Sequence, residues 1–323
     1  MTRPRIVFMG TAPLAAVSLT ALAAHTEAWL LTAVVTQPDR PRGRNLQLQP
    51  SAVKEVAIQL GLPVLQPLRA REPSFVEQLR SLQPDLIVVA AYGQILPPEI
   101  LELPPWRCIN VHASLLPRYR GAAPIQWAII NGDPETGVTI MLMEPTLDTG
   151  PILSQRATPI APGEDAPRLH DRLARLGADL LVETIPDYLA GRLHPRPQPS
   201  EGASYARKLT REDGLLDWSL SAAALENRVR GLTPWPGTYT HVNGPGGPVI
   251  LKVLEARAEG EAAGEPGRIL EAGPKGVVVQ CGRGALRLLV LQREGGRRLS
   301  AEAFVAGTPL KPGMSLAPSP QAH

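Results

Sequence analysis

The sequence predicts an α/β protein, in which a Rossmann-like, mostly parallel sheet with flanking helices precedes a small C-terminal OB-like β-barrel domain. Strand-like apolar segments alternate with helical patterns up to residue 190, as in parallel sheets that helices cover. A proline-rich segment follows, which we assign as a linker over residues 191–207. From Thr238 onward, glycine, proline and charged residues separate short strand-like segments, which is typical of a small barrel.

The first domain, placed at residues 1–190, divides into elements by its hydrophobic spacing. Ser51 is a plausible N-cap for one helix, and Asp165 for the last helix. Leucines 169, 173, 176 and 180 recur at helical spacing and predict the buried side of that last helix. We predict strands at 5–9, 31–36, 85–91, 108–112 and 136–143, and helices at 14–24, 51–60 and 164–190.

The turn after the first strand argues against a dinucleotide cofactor. The dinucleotide fingerprint needs three glycines in the pattern G-x-G-x-x-G. Only Gly10 is present in the corresponding stretch, residues 10–15. We therefore do not expect a nicotinamide or flavin cofactor.

The second domain, placed at residues 208–314, contains one helix and several short strands. We predict the helix at 219–232 and strands at 249–254, 267–271, 276–281 and 286–292, with a flexible tail at 315–323. Between 275 and 298 there are six basic residues and one acid, an excess of 6 − 1, or +5. A small barrel with a basic face suits nucleic acid, and a generic interaction domain is the alternative.

The overall composition is that of a soluble globular protein. Of 323 residues, 44% are hydrophobic and 20% are charged. The apolar run that follows the basic N-terminus ends at Gly10, too early for a signal peptide, so we expect a cytoplasmic protein. No apolar run approaches the roughly eighteen residues that a membrane span needs, so we expect no membrane contact. We also expect a monomer. The net charge of +3 is compatible with a polyanionic partner. Cys108 and Cys281 lie far apart without metal-ligand spacing, so we expect buried thiols and no metal.

The strongest candidate for chemistry is the strand that ends at His112. Alternation along residues 108–112 places Asn110 and His112 on one face and Ile109 and Val111 on the other. An amide can donate to a developing oxyanion while a neighbouring imidazole handles a proton. The alternative is an ordinary polar strand end, followed by a turn at residues 114–117.

Three further segments are candidates for binding. Tyr92–Leu96 follows a buried strand and could hold a flat heterocycle, or be a plain strand exit. Asp148 follows an apolar strand and could orient an imidazole, although aspartates are also common turn formers. Arg40, Arg42 and Arg44 lie in a long connection and could grip phosphates, or form a solvated basic loop.

Taken together, the motifs resemble the folate-dependent formyltransferase family. The Asn-x-His pattern, Ser-Leu-Leu-Pro and a downstream Asp-Thr-Gly are specific to that family, and the resemblance covers about residues 5–312. The matching stretches are 8–11, 36–44, 91–97, 109–126, 136–141, 147–150, 217–219 and 234–237.

The resemblance implies a reaction and a set of site residues. The donor would be 10-formyltetrahydrofolate, and the basic insert and C-terminal module indicate initiator methionyl-tRNA as the acceptor. Asn110 would stabilise the oxyanion, and His112 would assist it or relay a proton to the leaving folate nitrogen. Asp148 would tune His112 and help to remove the proton of the amine. The folate would contact Tyr92, Gly93, Gln94, Ile95, Leu96, Ser114, Leu115, Leu116, Pro117 and Met141. Arg40, Arg42 and Arg44 would contact the acceptor stem, and the barrel would hold the inner part of the tRNA.

Two rival interpretations remain open. The same donor and catalytic residues could serve another acceptor, such as a glycinamide nucleotide, an amino sugar nucleotide or water. Alternatively, the chain could be an RNA-binding protein that kept the fold without catalysis, against which the three intact catalytic positions argue. Formyl transfer assayed with each acceptor distinguishes these possibilities.

Overall fold

The computed structural model describes residues 3–42, 47–244, 247–308 and 310–317. The chain divides into two compact units. The first comprises Met1–Pro124, Glu135–Pro159 and His170–Ala206, and the second comprises Ile125–Pro134, Ile160–Leu169 and Arg207–His323. The domain limits expected from the sequence stay a prediction, and most of the expected tail lies outside the described residues.

Strands and helices alternate from Arg5 to Leu189. The strands of this part are β1 (Arg5–Gly10), β2 (Leu30–Val35), β3 (Arg40–Arg42), β4 (Gln47–Gln49), β5 (Val64–Leu65), β6 (Leu86–Ala90), β7 (Cys108–His112), β8 (Arg120–Gly121), β9 (Glu135–Leu142), β10 (Ile152–Pro159) and β11 (Tyr205–Ala206). The helices are α1 (Pro13–Ala23), α2 (Ala52–Gln59), α3 (Pro73–Ser81), α4 (Pro98–Leu101), α5 (Pro124–Ile130) and α6 (Ala166–Leu189).

The main sheet of the first unit has the order β10-β9-β7-β6-β1-β2-β5. Adjacent strands from β5 to β7 pair in parallel. Strand β9 pairs antiparallel to β7, and β10 pairs antiparallel to β9. The predicted mostly parallel sheet with flanking helices is therefore confirmed. The strands β1 and β6 are almost entirely buried because helices cover both faces.

Local sequence accounts for the ends of the two helices for which caps were predicted. The Ser51 hydroxyl accepts from the amide of Lys54 at 3.0 Å and so caps α2. Asp165 accepts from the amide of Arg168 at 3.0 Å at the start of α6. Three of the four stripe leucines in α6 are buried, while Leu176 is half-buried.

Helix α3 and strand β10 were not predicted, for different reasons. Helix α3 is short and amphipathic, begins at Pro73, and buries three side chains: Phe75, Val76 and Leu79. After its first two buried residues, strand β10 alternates half-buried and exposed residues and contains polar residues, so its strand character depends on pairing with β9. Tertiary pairing thus overrides a weak local signal.

The long connection at residues 36–50 contains a hairpin in its described part. Arg40 pairs with Gln49 across β3 and β4. The ammonium group of Lys54 lies 2.7 Å from the Asp39 carboxylate, and this bond, with one from Gln66, lowers the pKa of Asp39. The Arg42 side chain and all of Arg44 lie outside the described residues.

The second unit is built on an antiparallel sheet ordered β14-β15-β16-β13-β12-β18, with β17 on β16. Its strands are β12 (Thr238–Gly244), β13 (Gly247–Glu259), β14 (Ile269–Gly273), β15 (Gly276–Gln280), β16 (Ala285–Arg293), β17 (Leu299–Ser300) and β18 (Leu316–Ala317). Its helices are α7 (Ala222–Gly231), which is capped by Ser221, and α8 (Ala301–Gly307). An antiparallel bridge between Arg268 and Ser315 links the two ends of the sheet order. The OB-like detail stays a prediction.

Acidic residues on other strands of the same sheet offset part of the basic excess counted in the sequence. The Arg287 guanidinium pairs with the carboxylates of Glu259 and Glu271. These bonds raise the pKa of Arg287. The charge on this sheet is therefore more balanced than the residues 275–298 alone indicate.

Candidate active site

The sheet topology gathers the predicted site residues at one edge of the first unit. Strands β6 and β7 are adjacent and parallel, so the segments after Ala90 and His112 leave the sheet at the same edge. Strand β9 runs antiparallel to β7 and pairs Met141 with Asn110 and Thr139 with His112. Ligand sites in open α/β sheets form at this kind of edge.

His112 and Asp148, 36 positions apart in the chain, come together at this edge. Nδ1 of His112 lies 3.7 Å from Oδ2 of Asp148, and both side chains are largely buried. Nε2 lies 2.9 Å from the carbonyl oxygen of Tyr119. Because a carbonyl oxygen can only accept, Nε2 carries a hydrogen, and Nδ1 is the ring nitrogen that faces Asp148.

The Asp148 carboxylate is held by the backbone of a neighbouring strand. The amide of Gly121 donates to Oδ2 at 2.8 Å. Asp148 itself adopts φ of 52°, in the left-handed region. Such a backbone costs about 1–2 kcal/mol for a residue with a Cβ, so the surrounding contacts must support it.

Asn110 lies on the face of β7 opposite to Val111. Val111 packs against helix α6. Its Cγ1 lies 3.0 Å from the position that a Cβ would occupy on Gly177 of that helix. Asn110 is half-buried, and among the residues that the structure describes its side chain makes no hydrogen bond. Its amide is thus free to bind a reacting group.

The turn after β7 is fixed by a buried hydroxyl. Thr139 Oγ1 donates to the carbonyl of Ser114 at 2.7 Å and accepts from the amide of Leu116 at 3.1 Å. Gln155 donates to the same hydroxyl at 3.0 Å and to the carbonyl of Leu116 at 2.8 Å. The Ser114 hydroxyl donates to the Arg118 carbonyl at 2.7 Å. The turn is therefore rigid on its inner side.

Leu116 and Met141, two of the predicted folate residues, form an apolar wall. They pack with Ile152 in one buried cluster beside the His112 strand. Leu115 and Pro117 are half-buried at the same turn, whereas Ser114 is fully buried.

The segment Tyr92–Leu96 offers mainly backbone groups. The side chains of Tyr92 and Leu96 are buried in a separate core cluster, and burial raises the pKa of Tyr92 to about 12. The side-chain oxygen of Gln94 accepts from the amide of Ala70 at 2.8 Å, so this side chain is already bound to another segment. Ile95 is 82% exposed.

One cavity of about 290 Å³ brings this segment next to the basic hairpin. Its walls include Tyr92, Gly93, Gln37 and Arg40. The Gln37 amide donates to the Tyr92 carbonyl at 2.8 Å, and the Arg40 guanidinium donates to the Gln37 side-chain oxygen. Gly93 has φ of 83°, and a Cβ there would lie 2.6 Å from Gln37 Nε2. The close approach explains the glycine.

The sequence interpretation missed three residues that support these groups. Thr139 is a fully buried polar residue between the apolar residues Val138 and Ile140, and that contrast is a signal that could have identified it. Gly121 contributes a backbone amide, which no side-chain pattern reveals. Gln198 lies in the segment interpreted as a linker, and nothing in its local sequence distinguishes it.

The described ranges contain neither a metal-binding cluster nor a membrane-spanning helix. No group of three or more His, Cys, Asp or Glu residues with metal-binding proximity occurs within them. No helix within them combines the length and apolar character that a membrane span requires.

Comparisons with known proteins cover almost the whole chain. The family model for Formyl transferase matches residues 4–185, and the model for Formyl transferase, C-terminal domain matches residues 208–309. A methionyl-tRNA formyltransferase from Trichlorobacter lovleyi is 50% identical over 98% of this chain and 98% of its own. Another, from Myxococcus xanthus, is 50% identical over 97% of this chain and 98% of its own.

Solved structures with lower sequence identity share the fold. An N-formyltransferase from Helicobacter canadensis, in complex with folinic acid and dTDP-3-aminofucose, matches 89% of this chain and 99% of its own with a TM-score of 0.64 at 16% identity. HypX from Aquifex aeolicus, in complex with tetrahydrofolic acid, matches 95% of this chain with a TM-score of 0.62 at 19% identity, and this chain spans 47% of its length. From the family models and the full-length relatives, the chain belongs to the formyl transferase family, within its methionyl-tRNA formyltransferase group.

Proposed function

We propose that this protein transfers a formyl group from 10-formyltetrahydrofolate to the α-amino group of initiator methionyl-tRNA. The observation that carries the proposal is the grouping of His112 and Asp148, 3.7 Å apart, beside the unpaired amide of Asn110 at the ligand-binding edge of the sheet. The relatives that match the chain from end to end carry the name of this activity.

The proposed roles follow from the hydrogen-bonding state of each side chain. The amine attacks the formyl carbon, and the negative charge that develops on the formyl oxygen accepts a hydrogen bond from the Asn110 amide. The Tyr119 carbonyl occupies Nε2 of His112, which leaves Nδ1 to accept the proton that the amine loses. Asp148 faces Nδ1 and stabilises the positive imidazolium that forms. Collapse of the tetrahedral intermediate then re-forms the C=O bond and breaks the bond to the folate nitrogen, and that nitrogen takes the proton held on Nδ1 of His112, which returns the imidazole to its neutral form.

The residues at the site fit a flat, partly apolar donor. Leu116 and Met141 give a buried apolar wall next to the reacting groups, and Ile95 presents an exposed apolar side chain. Backbone groups of the Tyr92–Leu96 segment and of the turn at residues 114–117 are suited to the polar edges of a heterocycle. The finer contacts of the ten predicted folate residues are part of the proposal.

The acceptor tRNA is proposed to bind through the basic hairpin and the second unit. Arg40 lines the cavity beside Tyr92, and the arginines at 42 and 44 follow in the same connection. Contacts from arginine to phosphate carry much of the affinity for nucleic acid and weaken as salt is added.

The proposal is tested by assaying formyl transfer from 10-formyltetrahydrofolate to alternative acceptors. We expect formylation of charged initiator methionyl-tRNA at least a hundredfold faster than of charged elongator methionyl-tRNA, glycinamide ribonucleotide or a dTDP-amino sugar. Faster transfer to either nucleotide, or release of formate without transfer, would assign a different acceptor. If no acceptor were formylated, the remaining interpretation would be an RNA-binding protein without catalytic activity.

The role of the hairpin is tested with Arg42→Ala. We expect a higher KM for methionyl-tRNA with little change in the KM for the folate, because only the nucleic acid would contact this arginine. Arg80→Ala is the matched control, since Arg80 is an exposed arginine on α3 that pairs with Glu77. Equal KM values for tRNA in the two variants would show that the hairpin does not contribute to tRNA binding.

A further inference from the structure

The segment that the sequence marks as a linker lies against the candidate site in the first unit. We call residues 196–206 the strap. At one end of the strap, Arg196 forms an antiparallel bridge with Ile152 of the apolar wall cluster. At the other end, Tyr205 and Ala206 form strand β11, which pairs with β8. The strap is therefore attached both to Ile152, which follows Asp148 in the chain, and to β8, whose Gly121 amide binds the Asp148 carboxylate.

Gln198 in the strap fixes the backbone on both sides of Asp148. Its Nε2 lies 2.8 Å from the carbonyl of Asp148 and 2.8 Å from the carbonyl of Gly150. Its Oε1 accepts from the guanidinium of Arg120, at 3.1 Å from Nε and 2.7 Å from Nη2. Both amide hydrogens and the amide oxygen are thus used, so the side chain has one orientation.

Asp148 needs this support because its backbone is strained. With φ of 52° it lies in the left-handed region, which costs a residue with a Cβ about 1–2 kcal/mol and which aspartate adopts where local hydrogen bonds support it. Its carboxylate has one direct hydrogen bond among the described residues, from the Gly121 amide. Relaxation of the backbone at Asp148 would move the carboxylate away from His112.

We propose that Gln198 is a positioning residue, which holds the Asp148 loop so that the carboxylate faces Nδ1 of His112. This inference rests on the proposed function, in which Asp148 acts on His112. Glutamine is required rather than glutamate, because a carboxylate cannot donate to two carbonyl oxygens. Leucine is of similar size, but it can neither donate to the two carbonyl oxygens nor accept from Arg120.

The test compares Gln198→Leu and Gln198→Glu with Tyr188→Phe, the matched control. Tyr188→Phe also removes a hydrogen bond to a backbone carbonyl in the first unit, that of Trp106 at 3.0 Å. We expect both Gln198 variants to lower kcat by about 10- to 100-fold, the scale of effect of a small misplacement of reacting groups. We expect KM values within about twofold of wild type. The control should lose stability without this loss of kcat.

Two further measurements separate positioning from general stability. Introduced into Asp148→Asn, Gln198→Leu should cause no further loss of kcat, because the group that it positions is already inactive. In protein labelled at histidine, the His112 ring resonances of Gln198→Leu should move toward those of Asp148→Asn, while Tyr188→Phe keeps the wild-type positions.

Either of two results would overturn the positioning role. One is a loss of kcat that multiplies with that of Asp148→Asn, and the other is a wild-type His112 spectrum in Gln198→Leu. If Asp148→Asn itself retained wild-type kcat, the proposed catalytic assignment would fail, and the role of Gln198 would fail with it. The first two results leave the proposed function intact, so the failures are distinguishable.

Discussion

Replacing Thr139 by valine removes a hydroxyl that three groups share beneath the turn after β7. Thr139 is fully buried, pairs with His112 in the sheet, and bonds to Ser114, Leu116 and Gln155. Valine has nearly the same shape, so the substitution tests the hydroxyl rather than the volume.

The magnitude follows from the groups that lose their partner. The amide of Leu116 loses its acceptor and the carbonyl of Ser114 loses its donor, and leaving such a buried group unpaired costs about 1–3 kcal/mol. Gln155 keeps its bond to the Leu116 carbonyl at 2.8 Å, so it is not orphaned. We expect about 2 kcal/mol lower stability, which at about 2–4 °C per kcal/mol for a domain of this size lowers Tm by about 4–8 °C.

The assay combines thermal unfolding with steady-state kinetics. The Thr139→Val variant should also raise KM for the folate, because Leu116 belongs to the proposed folate wall. Thr139→Ser is the control, since it keeps the hydroxyl and its three hydrogen bonds. A Tm for Thr139→Val equal to that of the wild-type protein would refute the argument that the hydroxyl holds the turn.

Three further predictions follow from the same geometry. Asn110→Ala should lower kcat by about 100- to 1,000-fold with little change in KM, as for loss of an oxyanion donor, and near wild-type kcat would contradict that role. Gly150→Ala should cost about 1–3 kcal/mol in urea unfolding and lower kcat, because its Cβ would lie 1.9 Å from the Leu142 carbonyl oxygen; a fully stable variant would contradict the close approach. Burial raises the pKa of Cys108 to about 12 and of Cys281 to about 11, so a thiol reagent at pH 8 should label neither until the protein is unfolded; prompt labelling would show that they are accessible.

Much of the first unit could be predicted because its strands carry strong local signals. The strand at residues 108–112 was predicted with the limits that the structure shows, because buried apolar residues alternate with polar ones there. The hairpin β3–β4 was not foreseen, since its strands are short and its residues mostly polar. Its strands are joined by pairing across the connection, and the ion pair between Asp39 and Lys54 lies beside them.

By itself, the sequence determined which residues share a strand face and which family they resemble. Alternation on β7 was enough to place Asn110 and His112 together, because side chains two apart on a strand point the same way. Only the tertiary structure decided how Asp148 reaches His112 and what holds it there. The Gly121 amide and the Gln198 side chain come from segments 27 and 50 positions away from Asp148, and contacts between such distant segments leave no trace in local pattern. They exist because burying the sheet edge requires its polar groups to find partners wherever the fold supplies them.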